Sequence, residues 1–136
     1  MKWSIQQLRK LPTPYHFSDT IDFSEWIKSV DDIISIDKVE VTGDISKIDE
    51  ETFRFVYQFA ANMELQCALT LRPVPYVIDL TCDEVYSKVD SDDYFLIEKN
   101  TVDLDEMVWT NILLEKPINV TLPNAHEILK SEGVVL

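Results

Sequence analysis

The side chains of this 136-residue chain that invite a chemical reading are few: Cys67 and Cys82, His16 and His126, and the acidic run Asp90, Asp92 and Asp93. The two cysteines lie on either side of a Pro73-Val74-Pro75 segment, so they could be half of a metal site, a redox pair or two small core residues. A structural zinc site needs four ligands, usually in close pairs such as C-x-x-C, because two ligands on one tight turn are already ordered for a tetrahedral centre. Cys67 has Thr70 where the second cysteine of such a pair would stand, and no other pair exists. A buried thiol is a good small hydrophobe, and that reading is preferred. A nucleophilic Ser or Cys needs a histidine base, yet neither His16 nor His126 has a motif around it. The aspartate run lacks the glycine and the closing glutamate of a calcium-binding loop, and reads as a solvated loop. With two glycines in the chain, a nucleotide cradle, which needs backbone amides brought close to phosphate, is excluded. No catalytic residue, metal ligand or cofactor is therefore expected.

Charge narrows the class of partner. The chain has 25 acidic and 12 basic side chains, a net charge of -13, and such a field repels polyphosphate and favours a basic protein. The excess is uneven: Lys2, Arg9, Lys10 and Lys28 face only Asp19, Asp22 and Glu25 in residues 1–30. A direct RNA contact, if one exists, would use Lys2, Arg9 and Lys10 with Trp3 as a stacking surface. Nothing resembles a signal peptide or the roughly 20 apolar residues of a membrane helix. A soluble, cytoplasmic protein whose cysteines remain thiols is the expectation.

The elements that would position these groups follow from periodicity. "KWSIQQLRKL" predicts a short N-terminal helix, a terminal clasp that stops at Pro12 and Pro14. Tyr15, Phe17, Ile21 and Phe23 alternate toward one face, and "SEWIKSVDD" reads as a turn or brief helical connection. Ile33 to Ile45 predicts a half-buried strand in which Gly43 marks a bulge or bend. Phe53, Phe55, Tyr57 and Phe59 form an aromatic row at odd positions, and Met63, Leu65, Cys67, Leu69 and Leu71 continue the phase through a tight turn near Ala60-Ala61-Asn62. The apolar phase then moves to even positions, Tyr76, Ile78, Leu80 and Cys82. A hairpin turning at the prolines would produce that change and set Cys67 opposite Leu80 or Cys82. A short strand is expected at Tyr94 to Ile97. A helix is expected at about 103–115, with Asp103 and Glu106 as a capping-box-like pair and Leu104, Met107, Val108 and Ile112 as its buried row. Trp109 beside that row is a candidate protein contact. Residues 118–136 are expected to lay one more strand on the body. The predicted class is α+β: one domain, 1–136, built as a mainly antiparallel β-sheet or partly open barrel with a short N-terminal and a C-terminal helix.

The opening "MKWSIQQLRKL", the segment "CALTLRPVPY" and the helix "VDLDEMVWTNILLEKP" together resemble the YceD family, the large ribosomal RNA subunit accumulation proteins, in its Gram-positive form. The resemblance covers nearly the whole chain in the family's order, with Cys67, Thr70, Leu71 and Pro73 as the signature residues. It implies a bacterial cytoplasmic protein without known enzymatic activity, needed for synthesis, processing or stability of large-subunit ribosomal RNA. The expected partner is a basic ribosomal protein or large-subunit assembly factor. Two rivals are a direct RNA binder and an RNA-processing enzyme with a carboxylate site. Leu69 stands where the family usually has arginine, which puts any anion or RNA contact of that arginine in doubt. Thr70 and a cysteine-free tail remove the ligands with which relatives could make a zinc site.

Overall fold

A computed structural model of the protein describes residues 1–117; the strand expected in 118–136, and His126, lie outside the described residues. The architecture grows from one strand. Apolar residues at every odd position from Phe53 to Leu65 give β5 (Thr52–Gln66) a fifteen-residue run with one buried and one exposed face. The chain does not turn at Ala60-Ala61-Asn62, because an unbroken period of two is satisfied by a single long strand. Two small alanines carry no turn chemistry that would interrupt it.

Both neighbours of β5 are antiparallel to it. On one side β3 (Ile33–Ile36) and β4 (Val39–Asp49) lie end to end, pairing Ile36 with Met63 and Glu40 with Ala60. The strand expected from Ile33 to Ile45 is thus two strands in one line, and Asp37 N–H donates to Asn62 O (2.9 Å) across the break. A tight loop at Glu50 and Glu51 joins β4 to β5. On the other side β6 (Pro73–Ser87) pairs along its whole length, from Gln66–Pro73 to Thr52–Ser87. The turn of this hairpin is Cys67–Arg72. The prolines lie inside the strand and not at the turn, and the reason is the phase of the ladder. Cys67 N–H donates to Arg72 O (2.8 Å) and Lys88 N–H to Glu51 O (2.9 Å), whereas Ser87 O accepts from Ile97 N–H (2.8 Å) on the far side. Even residues of β6 bond to β5 and odd ones point away, so Pro73 and Pro75 lack an N–H only where β5 does not need it.

This register separates the cysteines. Cys82 lies opposite Tyr57, ten residues along β5 from Cys67, or about 33 Å at the rise of an extended strand. Both cysteines are buried and outside any disulfide, but they are not neighbours.

β2 (Tyr15–Ile21) adds to β4, and β7 (Phe95–Leu96) adds in parallel to the end of β6, giving a six-stranded sheet. β2 and β7 do not pair with each other, so the sheet is open and no barrel closes. Its inner face is covered by α1 (Ile5–Lys10), by α2 (Leu104–Glu115) and by a ribbon of β1 (Lys2–Ser4) with β8 (Thr101–Asp103). The N-terminal clasp is real: Trp3 is wedged edge-on between Phe17 (5.3 Å) and Phe55 (5.6 Å). The capping box sits at α1, where Ser4 Oγ accepts from Gln7 N–H and Gln7 Oε1 from Ser4 N–H. At α2 the N-cap Asp103 instead accepts from Asp105 N–H (3.0 Å), and Glu106 does not close a box. The connection between β2 and β3 contains the expected brief helical turn, Trp26–Ser29.

Gly43 makes no bulge. It is paired on both sides, with Phe17 and Tyr57, and a Cβ placed there would lie 2.6 Å from Tyr57 Cβ, 2.6 Å from Val56 O and 2.8 Å from the Phe17 ring. The glycine lets the Phe17 ring cross the strand. Gly43→Ala is expected to cost about 2–3 kcal/mol through overpacking, read as a lower urea midpoint with an unchanged m-value.

Candidate functional site

The inward phase of β6 carries a charge where it should be apolar. Tyr76, Ile78, Leu80 and Cys82 are followed at the next even position by Glu84. On α2 the buried row Leu104, Met107, Val108 and Ile112 has Asn111 on its flank. These two polar residues meet beneath the helix. Tyr57 Oη–H donates to Glu84 Oε1 at 2.6 Å and Tyr86 Oη–H to the same oxygen at 3.3 Å. Asn111 Nδ2–H is shared among Tyr57 Oη (2.8 Å), Met107 O (3.1 Å) and Glu84 Oε2 (3.3 Å). A partly buried carboxylate is costly unless its oxygens accept hydrogen bonds, and two phenols and an amide meet that demand here.

The cluster opens into a cleft of about 510 Å³ between the end of β6, the β7–β8 segment and α2. Four carboxylates line it, Glu84, Glu98, Asp103 and Glu106, against Lys2 and Lys99. Lys2 Nζ already stands 3.7 Å from Asp103. The rim is apolar: Phe95 is 52%, Leu96 47% and Leu114 75% exposed. Such a surface can take an extended basic segment with apolar neighbours. Among the described residues no three His, Cys, Asp or Glu side chains could hold a metal.

The residues singled out from sequence fall elsewhere. Cys67, Thr70 and Leu71 form the β5–β6 loop: Thr70 N–H donates to Cys67 Sγ (3.4 Å), Leu71 N–H to Cys67 O (3.0 Å), and Leu71 has φ 63°. Pro73 begins β6. Together they shape a hairpin tip, where Leu69 and Leu71 leave the buried phase and are exposed. Trp3 is 7% exposed and cannot stack on a base. Arg9 is held by Glu50 O (2.9 Å) and the Glu51 carboxylate, whereas Lys2 and Lys10 are exposed. Trp109 is half-buried, stacked on Phe23 (5.3 Å) and edge-on to Trp26 (5.7 Å), so part of its ring packs and part faces out. His16 pairs with Asp44 (3.1 Å) on the outer face, away from both inward thiols. Sequence reasoning missed Glu84 and Asn111; a polar residue in an inward phase was the signal available.

Titration of the cluster has a defined sign. Burial raises the Cys82 thiol above its ordinary 9.0, only partly offset by the Tyr57 hydroxyl. Burial, with the Glu84 carboxylate beside them, pushes Tyr57 and Tyr86 well above their ordinary 10.0. All three stay protonated in the folded protein and ionise in the unfolded chain, so their contribution is complete below pH 9 and is lost as pH rises beyond it. Stability is expected to fall above pH 9–10 by up to about 1.4 kcal/mol per pH unit for each group ionised only when unfolded. Tyr57→Phe should flatten that fall and, by stripping one donor from Glu84 and one acceptor from Asn111, cost about 1–3 kcal/mol at neutral pH; urea titrations at a series of pH values measure both.

Comparison with known proteins adds one relative. No family model matches the chain, and no solved structure matches it. The chain is 30% identical over 133 residues to the "Uncharacterized protein YlbN" of Bacillus subtilis (strain 168), an alignment that takes in 93% of this chain and 77% of the relative. With that identity sustained across both chains, this protein belongs to the family of Bacillus subtilis YlbN.

Proposed function

We propose that this protein is a non-enzymatic, cytoplasmic ribosome-biogenesis factor that supports synthesis, processing or stability of large-subunit ribosomal RNA through contact with a basic ribosomal protein or assembly factor. The observation that carries the reading is the acidic, apolar-rimmed cleft between β6 and α2 in a chain of net charge -13. Long-range attraction to a basic partner speeds encounter, and the exposed Phe95, Leu96 and Leu114 supply apolar area once contact is made. The assignment to ribosomes, and to bacteria, comes from the resemblance carried by Cys67, Thr70, Leu71 and Pro73 and by the α2 sequence. No helix among the described residues is long and apolar enough to cross a membrane.

Direct RNA binding is the weaker reading, because Lys2 and Arg9 stand beside the carboxylates of Asp103 and Glu51 and Trp3 is buried. An enzyme reading would need a carboxylate poised over a substrate, yet Glu84 has its oxygens engaged by three side-chain donors.

Depletion of the protein in its own bacterium, with sedimentation profiles and large-subunit RNA precursors measured together, tests the proposal. Free large subunits should fall and precursors accumulate. An unchanged ratio of large to small subunits would overturn it, and recovery of naked large-subunit RNA with the purified protein would replace the protein contact by an RNA contact.

A further inference from the structure

Along most of its length β6 has a neighbour on one side only. β7 pairs with Tyr86 and Ser87, and among the described residues no strand pairs with the same edge from Val77 to Val85. The phase established by Ser87 O and Lys88 N–H places the N–H and C=O of Val77, Asp79, Thr81, Asp83 and Val85 outward along this edge. Upstream, Pro73 and Pro75 occupy the same phase and remove two donors, so the first part of the edge is blocked and the rest is not. The acidic cleft lies against the inner side of this edge, where Glu84 and Tyr86 of β6 face Asn111 and Leu114 of α2.

We propose that the open edge of β6, from Val77 to Val85, takes an extended basic segment of a partner protein as an added strand in line with β7, whose inward side chains enter the cleft. The inference rests on the reading of this protein as one that acts by contact with a basic partner, and it names the surface and the mode. Strand addition supplies affinity from main-chain hydrogen bonds and specificity from alternate side chains. Inward side chains of the added strand meet Glu84, Glu98, Glu106 and the apolar Leu114, and outward ones lie beside Asp79 and Asp83, the latter already paired with Arg54. Charge selects among the possible occupants. A second copy would bring another -13 and set its Asp79 and Asp83 near their counterparts. The chain's own residues 118–136 contain Lys130 alone against Glu127 and Glu132, so they do not answer the acidic lining.

The test uses the full chain and a synthetic peptide alternating valine with lysine and arginine. The peptide should bind, weaken steeply between low and high salt, and slow hydrogen exchange at the amides of Val77, Asp79, Thr81, Asp83 and Val85. A peptide with glutamate in place of the basic residues should not bind. Thr81→Pro removes an outward donor that β5 does not use, and should weaken binding at least tenfold while leaving the circular dichroism spectrum unchanged. Should that variant misfold, the exchange pattern of the unaltered protein decides. Unchanged affinity in a folded Thr81→Pro variant, or slowed exchange at other amides only, would overturn the proposal. So would slow exchange of the five amides without peptide: at all concentrations it assigns the edge to residues 118–136, and growing with protein concentration it assigns the edge to a second copy. The two readings fail separately. A folded Thr81→Pro variant that restores normal ribosomes in depleted cells while failing to bind peptide overturns the edge alone; depletion without a large-subunit defect overturns the function and leaves the peptide measurement standing.

Discussion

The fold depends on the unbroken alternation of β5. From Phe53 to Leu65 every odd residue is buried, and a side-chain period of two has one structural solution when a single face must leave water. A slip of one residue would expose the entire aromatic row, at about 1.5–3 kcal/mol for each large side chain turned outward. Register is therefore fixed along the whole strand, and with it the placement of β3, β4 and β6, all of which pair directly with β5. The covering layer answers the same constraint. Trp3, Leu8 and Phe23 are all buried, although they come from three separate segments, because a fifteen-residue strand presents more apolar surface than one twelve-residue helix covers.

The candidate site is what remains where that covering layer ends. α2 seals the aromatic row with Leu104, Val108 and Ile112, which are fully buried. Over the end of β6 its face becomes Asn111 and then Leu114. Glu84 stands at that boundary, where an apolar residue would have been exposed on one side and a solvated charge buried on the other. Its three donors, Tyr57, Tyr86 and Asn111, come from β5, β6 and α2, so the carboxylate ties three elements together as it lines the cleft. A partly satisfied polar group at this depth would loosen the packing, whereas a satisfied one fixes it.

Sequence pattern revealed the aromatic row, both helices, the N-terminal clasp and the switch to even inward positions on β6, because each is a local periodicity. It failed where the deciding contact is distant. Gly43 reads as a bend in isolation, and only the Phe17 ring from the neighbouring strand explains it. The cysteine pair was misplaced by putting the turn at the prolines, since moving a hairpin turn by a few residues moves every cross-strand partner. The stacking of Trp109 against Phe23 and Trp26 was hidden, because no local signal tells an aromatic stack from an exposed ring. Of the site, Glu84 and Asn111 were legible as breaks in an inward phase. Tyr57 and Tyr86 were hidden in an apolar row whose hydroxyls a hydropathy pattern does not weigh.

Pro73 and Pro75 carry more than the position of a turn. Their spacing of two, in a stretch that continues as alternating apolar and polar residues, is compatible only with a strand whose odd N–H groups face no partner. A central strand would lose two ladder hydrogen bonds, and a turn would not keep the alternation going for another ten residues. An edge strand loses nothing, because the missing donors lie on its open side. The same spacing that obscured the hairpin turn therefore marks β6 as an edge and fixes which of its two rows of backbone groups is left over. Among the described residues, that row below the prolines is guarded by side-chain charge, Asp79 and Asp83. Charge of one sign turns away a second acidic copy and leaves the edge open to chains of the opposite sign.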